Sequence, residues 1–247
     1  MAGSVKIHLA DVHKAFGDKR VLNGVDLDVE AGESLVIVGG SGTGKSVLLK
    51  HMIGLLKPDR GVVEVDGVSV PDLGYREITA FRRRFGMAFQ EGALFDSMTV
   101  WENVAFPLRR QRRLPTDEIR ARVDRSLAQV GLEGAGGKMP SELSGGMRRR
   151  AGFARAVVHQ PEILLFDEPT TGLDPVTKAT IDELIIALRE DLGSTTVTIS
   201  HDMTSVFRIA DRIGMLYDGE VIALATPEEF RQLADSRVQR FLRSEAA

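Results

Sequence analysis

At 247 residues, 43% hydrophobic and 27% charged, the chain reads as a soluble globular protein with room for one large domain or a core carrying an inserted subdomain. A net charge of −3 gives no global sign of a nucleic-acid binder, so any basic footprint has to be local. The absence of cysteine excludes disulfides, thiolate metal sites and a cysteine nucleophile, and no apolar run approaches the ~18–20 residues needed to span a bilayer.

The N-terminal stretch alternates apolar and polar residues through "VKIHLADV" and lacks the continuous apolar run of a signal peptide. With "VDLDVE" and "VVEVDG", the latter ending in an Asp-Gly turn signal, it predicts an antiparallel β region. Between them "SLVIVGG" reads as a buried parallel strand, followed by a helix from Gly44 to about Leu56. Residues 91–160 read as mainly helical: "TDEIRARVDRSLAQVG" puts Ile119, Val123, Leu127 and Val130 on one face, with Thr116 as N-cap. "EILLFDEP" and "STTVTISH" are strands flanking a helix that turns Ile181, Leu184, Ile185 and Leu188 inward, and "DGEVIALATPEEF" adds a strand pair and terminal helices. The whole predicts one α/β domain with a mainly parallel sheet, an N-terminal antiparallel β subdomain and an inserted helical subdomain. The expected division is 1–90 with 161–247 against 91–160.

"GGSGTGKS", Gly39 to Ser46, satisfies G-x-x-x-x-G-K-[ST] between an apolar strand and a helix. In such a loop Gly39, Gly40, Ser41, Gly42, Thr43 and Gly44 turn backbone N–H groups toward phosphate oxygens, and the helix N-terminus adds partial positive charge. Lys45 then contacts the outer phosphates of ATP and the Ser46 hydroxyl binds Mg²⁺. "ILLFDEP" delivers two adjacent carboxylates at a strand's C-terminal edge. Asp167 is expected to hold Mg²⁺, and Glu168 to orient or deprotonate the attacking water.

A second Ser-Gly-Gly, Ser144 to Gly146 in "LSGGMRRR", opens another helix. Taken alone it is as well explained by an ordinary capped helix as by a second phosphate site. The ordered set of phosphate loop, Gln90 after "FGMAF", "LSGGM", "LLFDEP", "GLD" and "SHD" resembles the ATP-binding subunit of an ABC transporter along essentially the whole chain. That resemblance implies a head-to-tail homodimer in which Ser144, Gly145 and Gly146 of one chain cap the ATP held by the other. It further implies that Phe16 stacks on adenine, that Gln90 senses Mg²⁺ and the γ-phosphate, that Asp174 links the two sites, and that His201 contacts the γ-phosphate. Phe16 replaces a commoner tyrosine, and a buried core phenylalanine is the alternative. Met147 stands where most members carry glutamine, and "TTGLD" replaces the commoner "SALD"; the Ser-Gly-Gly donors are intact, so hydrolysis is expected to survive.

"FQEGALFDSMTVWENVAFPL" and "MPSELSGGMRRRAGFARA" resemble the Mla/Mce-type lipid-transport ATPases of bacteria. This implies a protein peripheral to the cytoplasmic face of the inner membrane, under an integral-membrane permease, with an Mce-domain lipid-binding partner and in some systems a small STAS-domain protein. The implied cargo is phospholipid or a related lipid; an importer ATPase for an amino acid or other small solute is the alternative. Leu94, Phe95 and Met98 offer a groove for a permease helix, or else fill the helical subdomain's own core. The clusters Arg82–Arg84, Arg109–Arg110, Arg112–Arg113 and Arg148–Arg150 raise a rival reading, a soluble ABC ATPase acting on nucleic acid. No nucleic-acid partner is expected: successive helical residues turn by ~100°, so Arg148 to Arg150 cannot form one stripe, and solvated faces and local ion pairs are their expected fate.

Overall fold

The structure is a computed structural model describing residues 4–110 and 114–245; Arg112 and Arg113 lie outside the described residues. Up to residue 82 the chain forms strands β1 (Val5–Phe16), β2 (Lys19–Glu30) and β3 (Ser34–Val38), helix α1 (Lys45–Met52), strands β4 (Arg60–Val65) and β5 (Val68–Ser69), and helix α2 (Tyr75–Phe81). Then come β6 (Phe85–Ala88), α3 (Val100–Arg109), α4 (Thr116–Gln129), α5 (Gly145–Val157), β7 (Ile163–Asp167) and α6 (Pro175–Leu192). The last stretch holds β8 (Thr195–Ile199), α7 (Met203–Ile209), β9 (Arg212–Tyr217), β10 (Glu220–Ala225), α8 (Pro227–Gln232) and α9 (Ser236–Glu245).

Two compact units result: residues up to Arg82 together with Thr195 onward, and Arg83–Ser194. In the first, β2, β1, β4 and β5 form an antiparallel sheet in that order. Its strands alternate as the sequence does: Val25, Leu27 and Val29 of β2 are buried while Asp26 and Asp28 between them are exposed. The strands β10, β9, β3 and β8 lie in that order, with β3 parallel to both β8 and β9. Every residue of β3 and β8 is buried, which is why their sequences are continuous β-branched and apolar runs rather than alternating ones. Helix α1 is shorter than expected: it ends at Met52, and Gly54, at φ +65°, turns the chain so that Leu55 N–H reaches the Lys50 carbonyl.

In the second unit β6 and β7 run parallel, Phe85 opposite Ile163 through Ala88 opposite Phe166. Helix α5 packs on β6, α3 and α4, and Phe153 of α5 stands edge-on to Phe166 of β7. These contacts tie both strands to the helices within the compact unit Arg83–Ser194. Val123, Leu127 and Val130 of the α4 region are buried as its periodicity predicts, while Ile119 on the same face is half-buried. Thr116 is not the N-cap: it is the first helical residue, Pro115 precedes it in an extended conformation, and no side chain caps the helix. In α6, Ile181, Ile185 and Leu188 are buried, whereas Leu184 is half-buried and Asp182 takes an inward place. No helix among the described residues is long and apolar enough to cross a membrane.

Candidate nucleotide site

In the first unit β3 delivers the loop Gly39–Gly44 directly into α1. The loop needs glycine where it is crowded: Gly39 and Gly44 hold φ of +149° and +105°. A Cβ would lie 2.3 Å from the Leu216 carbonyl at Gly39 and 2.9 Å from Val21 at Gly44. Lys45 is almost fully buried, and its Nζ donates to the carbonyls of Gly39 (2.7 Å) and Gly40 (2.9 Å), which holds the ammonium over the loop. Thr43 Oγ1 donates to the same Gly40 carbonyl at 2.9 Å. Ser46 follows on the first turn of α1.

His201 leaves the sheet at the same edge. Strand β8 runs parallel beside β3, and Ser200 N–H donates to Ile37 O at 3.3 Å, so the two chains exit together at their C-terminal ends, where α/β sheets place ligands. Asp202 then caps α7, accepting from Thr204 and Ser205 amides. Phe16 is no core residue: it is 48% exposed at the end of β1, paired with Lys19 across the hairpin whose Val21 and Leu22 flank Gly44.

The second unit brings a second set to a sheet edge. Gln90 lies two residues beyond β6, and Asp167 ends its partner β7 with Glu168 immediately after it. Gln90 is exposed, while both carboxylates are half-buried. Glu168 holds φ +53°, a left-handed conformation that costs a non-glycine residue about 1–3 kcal/mol and occurs preferentially at functional sites. Its Oε2 accepts a 2.8 Å hydrogen bond from Thr171 Oγ1.

Ser144 caps α5, its hydroxyl accepting from Met147 N at 3.3 Å. Gly145 has open space where a side chain would point, and a Cβ on Gly146 would touch Thr177 of α6 at 3.1 Å. Asp174 caps α6, accepting from the amides of Val176 and Thr177 and from the Thr177 hydroxyl. The bonds from Thr177 hold its carboxyl below the usual range. Ser144–Gly146 and Asp174 thus form a grouping of their own, joined through Thr177.

The described arginines of these clusters are mostly exposed, as expected, and Arg149 alone among them is buried. Arg148 donates to Pro140 O, Arg149 to Pro169 O (3.0 Å) and Thr171 O, and Arg150 to Val130 O and Gly131 O. Arg82 donates to Ile53 O and Gly54 O, Arg84 pairs with Glu162, and Arg109 and Arg110 lie over the rings of Trp101 and Phe106. Backbone carbonyls at loop ends, in need of donors, take four of the eight described ones. Two residues escaped the sequence reading. Arg149 is buried despite its charged neighbours, which no local pattern signals. Asn103 is fully buried among Val100, Val104 and Ala105, and a lone amide on that apolar face was the available signal.

A family model described as ABC transporter matches residues 22–171. The intermembrane phospholipid transport system ATP-binding protein MlaF of Haemophilus influenzae is 44% identical over 230 residues, 93% of this chain and 87% of its own. The probable ribonucleotide transport ATP-binding protein mkl of Mycobacterium leprae is 41% identical over 242 residues, 98% of this chain and 70% of its own. Among solved structures, the dimeric post-hydrolysis state of the ATP-binding cassette MJ0796 bound to ADP and Pi superposes with a TM-score of 0.80 at 34% identity, covering 90% of this chain and 98% of that one. With its phosphate loop, strand-end carboxylates and Ser-Gly-Gly helix cap built as described, this chain belongs to the ABC transporter family, as an ATP-binding and ATP-hydrolysing subunit.

Proposed function

We propose that this subunit works as a head-to-tail homodimer under an integral-membrane permease at the cytoplasmic face of the inner membrane, and drives the movement of phospholipid or a related lipid. The observation that carries the cargo is the likeness to MlaF along 93% of the chain. Residues 91–160 act as the helical subdomain that presents the signature Ser144–Gly146. The exposed Phe95, beside half-buried Leu94 and Met98, is where a permease helix docks. An Mce-domain lipid-binding protein stands beyond the permease, and a small STAS-domain protein is a further candidate partner. The protein recovered from detergent-solubilised membranes is expected with a permease and an Mce protein; recovery with a soluble small-solute receptor overturns the lipid reading. The name of the mycobacterial relative favours a ribonucleotide cargo instead, and the same preparation separates the two by whether it holds lipid or nucleotide-binding partners.

In this reading the amides of Gly39–Gly44 and the Lys45 ammonium take the phosphates of ATP, and Phe16 stacks on the adenine. Ser46, Asp167 and Gln90 offer a few hard oxygen donors, which fits Mg²⁺, an ion that keeps several waters and takes the rest of its shell from substrate phosphates. When bound, Mg²⁺ supplies charge that neutralises the phosphate oxygens during transfer. Glu168 accepts the proton of the attacking water, while His201 and Gln90 hold the γ-phosphate end. Ser144, Gly145 and Gly146 of the second copy present their helix N-terminus to the same phosphate, and Asp174 connects the two sites. Hydrolysis therefore waits on dimer closure. Glu168→Gln tests the base: ATP binding is expected to survive, turnover to fall at least about 10²-fold, and a closed dimer to accumulate on gel filtration. Turnover at the wild-type rate removes Glu168 from this role.

A further inference from the structure

The second of the three signature arginines points the wrong way for a phosphate ligand. Arg149 is 7% exposed, one helical turn into α5, and its guanidinium donates to Pro169 O at 3.0 Å and to Thr171 O. Both carbonyls belong to the loop immediately after Glu168. Thr171, held at its carbonyl by Arg149, in turn donates its hydroxyl to Glu168 Oε2 at 2.8 Å. Glu168 itself sits in a left-handed backbone conformation that needs its surroundings to over-determine it. Helix, arginine, loop, threonine and glutamate form one unbroken chain of contacts inside one compact unit.

We propose that Arg149 and Thr171 are positioning residues that set the geometry of Glu168 from the signature helix of its own chain. A guanidinium suits the task because its planar fork reaches two carbonyls at fixed spacing, which an ammonium cannot reproduce. Threonine suits its end because a single hydroxyl donor fixes one carboxylate oxygen. The consequence concerns communication. The Ser-Gly-Gly end of α5 serves the partner's nucleotide, whereas Arg149, three residues further along, serves this chain's glutamate. A shift of α5 as one site closes is thereby felt by the glutamate of the other site.

The proposal rests on Glu168 being the base, and the variants below separate the two ideas. Thr171→Val keeps the shape and removes only the hydroxyl. It is expected to lower kcat about tenfold, the loss of one hydrogen bond to a charged group, with KM for ATP and the thermal midpoint nearly unchanged. Thr171→Ser, which restores the donor, is expected to recover kcat. Arg149→Lys is expected to lower kcat in the same sense, and the double variant Arg149→Lys/Thr171→Val to be no slower than the slower single one, since both act through one chain. Wild-type kcat in Thr171→Val, with Glu168→Gln inactive, overturns the positioning role while leaving Glu168 as base. Fully additive losses overturn the shared chain, and Glu168→Gln active overturns the underlying reading. A Thr171→Val loss confined to the thermal midpoint assigns the hydroxyl to stability and also overturns the proposal.

Discussion

Asn103 shows how much a single polar side chain can organise. Fully buried in α3, it accepts from Phe95 N at 2.7 Å, and its amide nitrogen lies within 3.1 Å of the carbonyls of Phe95, Met98 and Thr99. A loop with few backbone hydrogen bonds of its own, among them Met98 N–H to Phe95 O, has further backbone groups met from one residue. That loop carries Phe95, 44% exposed and 4.9 Å from the Phe106 ring, and so the proposed permease contact. Asn103→Ala is expected to cost about 1–3 kcal/mol, because the four backbone groups it meets lose that partner in a site closed to water. Urea unfolding gives that figure directly, and a loss below ~0.5 kcal/mol means the loop finds other partners. The proposed site residues were legible in the sequence because strand and helix ends set their spacing: Lys45 and Ser46 open α1, and Glu168 follows β7. Asn103 and Arg149 were not, because their partners lie on backbone atoms brought near only by the fold, and any residue type supplies a backbone carbonyl.

Helix α5 is the element on which the second unit is hung. Arg148 and Arg150 hold the segments after and before the glycine-rich loop, at Pro140 and Val130–Gly131 respectively, and Arg155 donates to Gly92 O and Ala93 O, both at 2.7 Å. Burial pushes the Arg155 guanidinium's pKa down, yet with two carbonyl acceptors it remains the charged clamp on the turn after Gln90. That turn lies against the helix backbone itself: a Cβ on Gly152 would meet Gly92 Cα at 2.7 Å and its carbonyl at 3.0 Å. Gly152→Ala is therefore expected to cost about 1–3 kcal/mol by overpacking and to push the turn off the helix. If that contact carries the permease signal, the permease-stimulated ATPase rate falls more than the basal rate; equal losses assign Gly152 to stability alone. The existence of α5 was legible from its serine cap and composition. Its role as a hub was not, because arginines that cap distant carbonyls look identical in sequence to arginines that face water. Strand-to-helix packing also leaves no local mark: α5 contacts β6 as well as α3 and α4.

At the scale of the whole molecule, the residues proposed for hydrolysis are divided between the two units, and the proposed use of the signature grouping depends on a second copy. Gly39–Ser46 and His201 belong to the first unit, and Gln90, Asp167, Glu168 and Ser144–Gly146 to the second. Gly145 has open space around its Cβ position, and Ser144 is exposed, so the α5 N-terminus is free of the packing that would bury an ordinary capped helix. A twofold dimer makes two composite sites from four half-sites, and that arithmetic is testable by complementation. Lys45→Ala disables a phosphate loop, and Ser144→Arg blocks a signature; each homodimer then has two defective sites. The mixed dimer has one site with both faults and one with neither, if the signature acts in trans. Random pairing makes half the dimers mixed, so the mixture is expected to regain roughly a quarter of the wild-type rate. In cis the two faults fall on separate chains' own sites, and no mixture restores either. The readout is ATP turnover together with nucleotide occlusion in a Glu168→Gln background, which registers a complete site even when firing requires both. A mixture that neither turns over nor occludes ATP overturns the head-to-tail arrangement. One that occludes without turnover establishes the arrangement and shows in addition that the two glutamates act together.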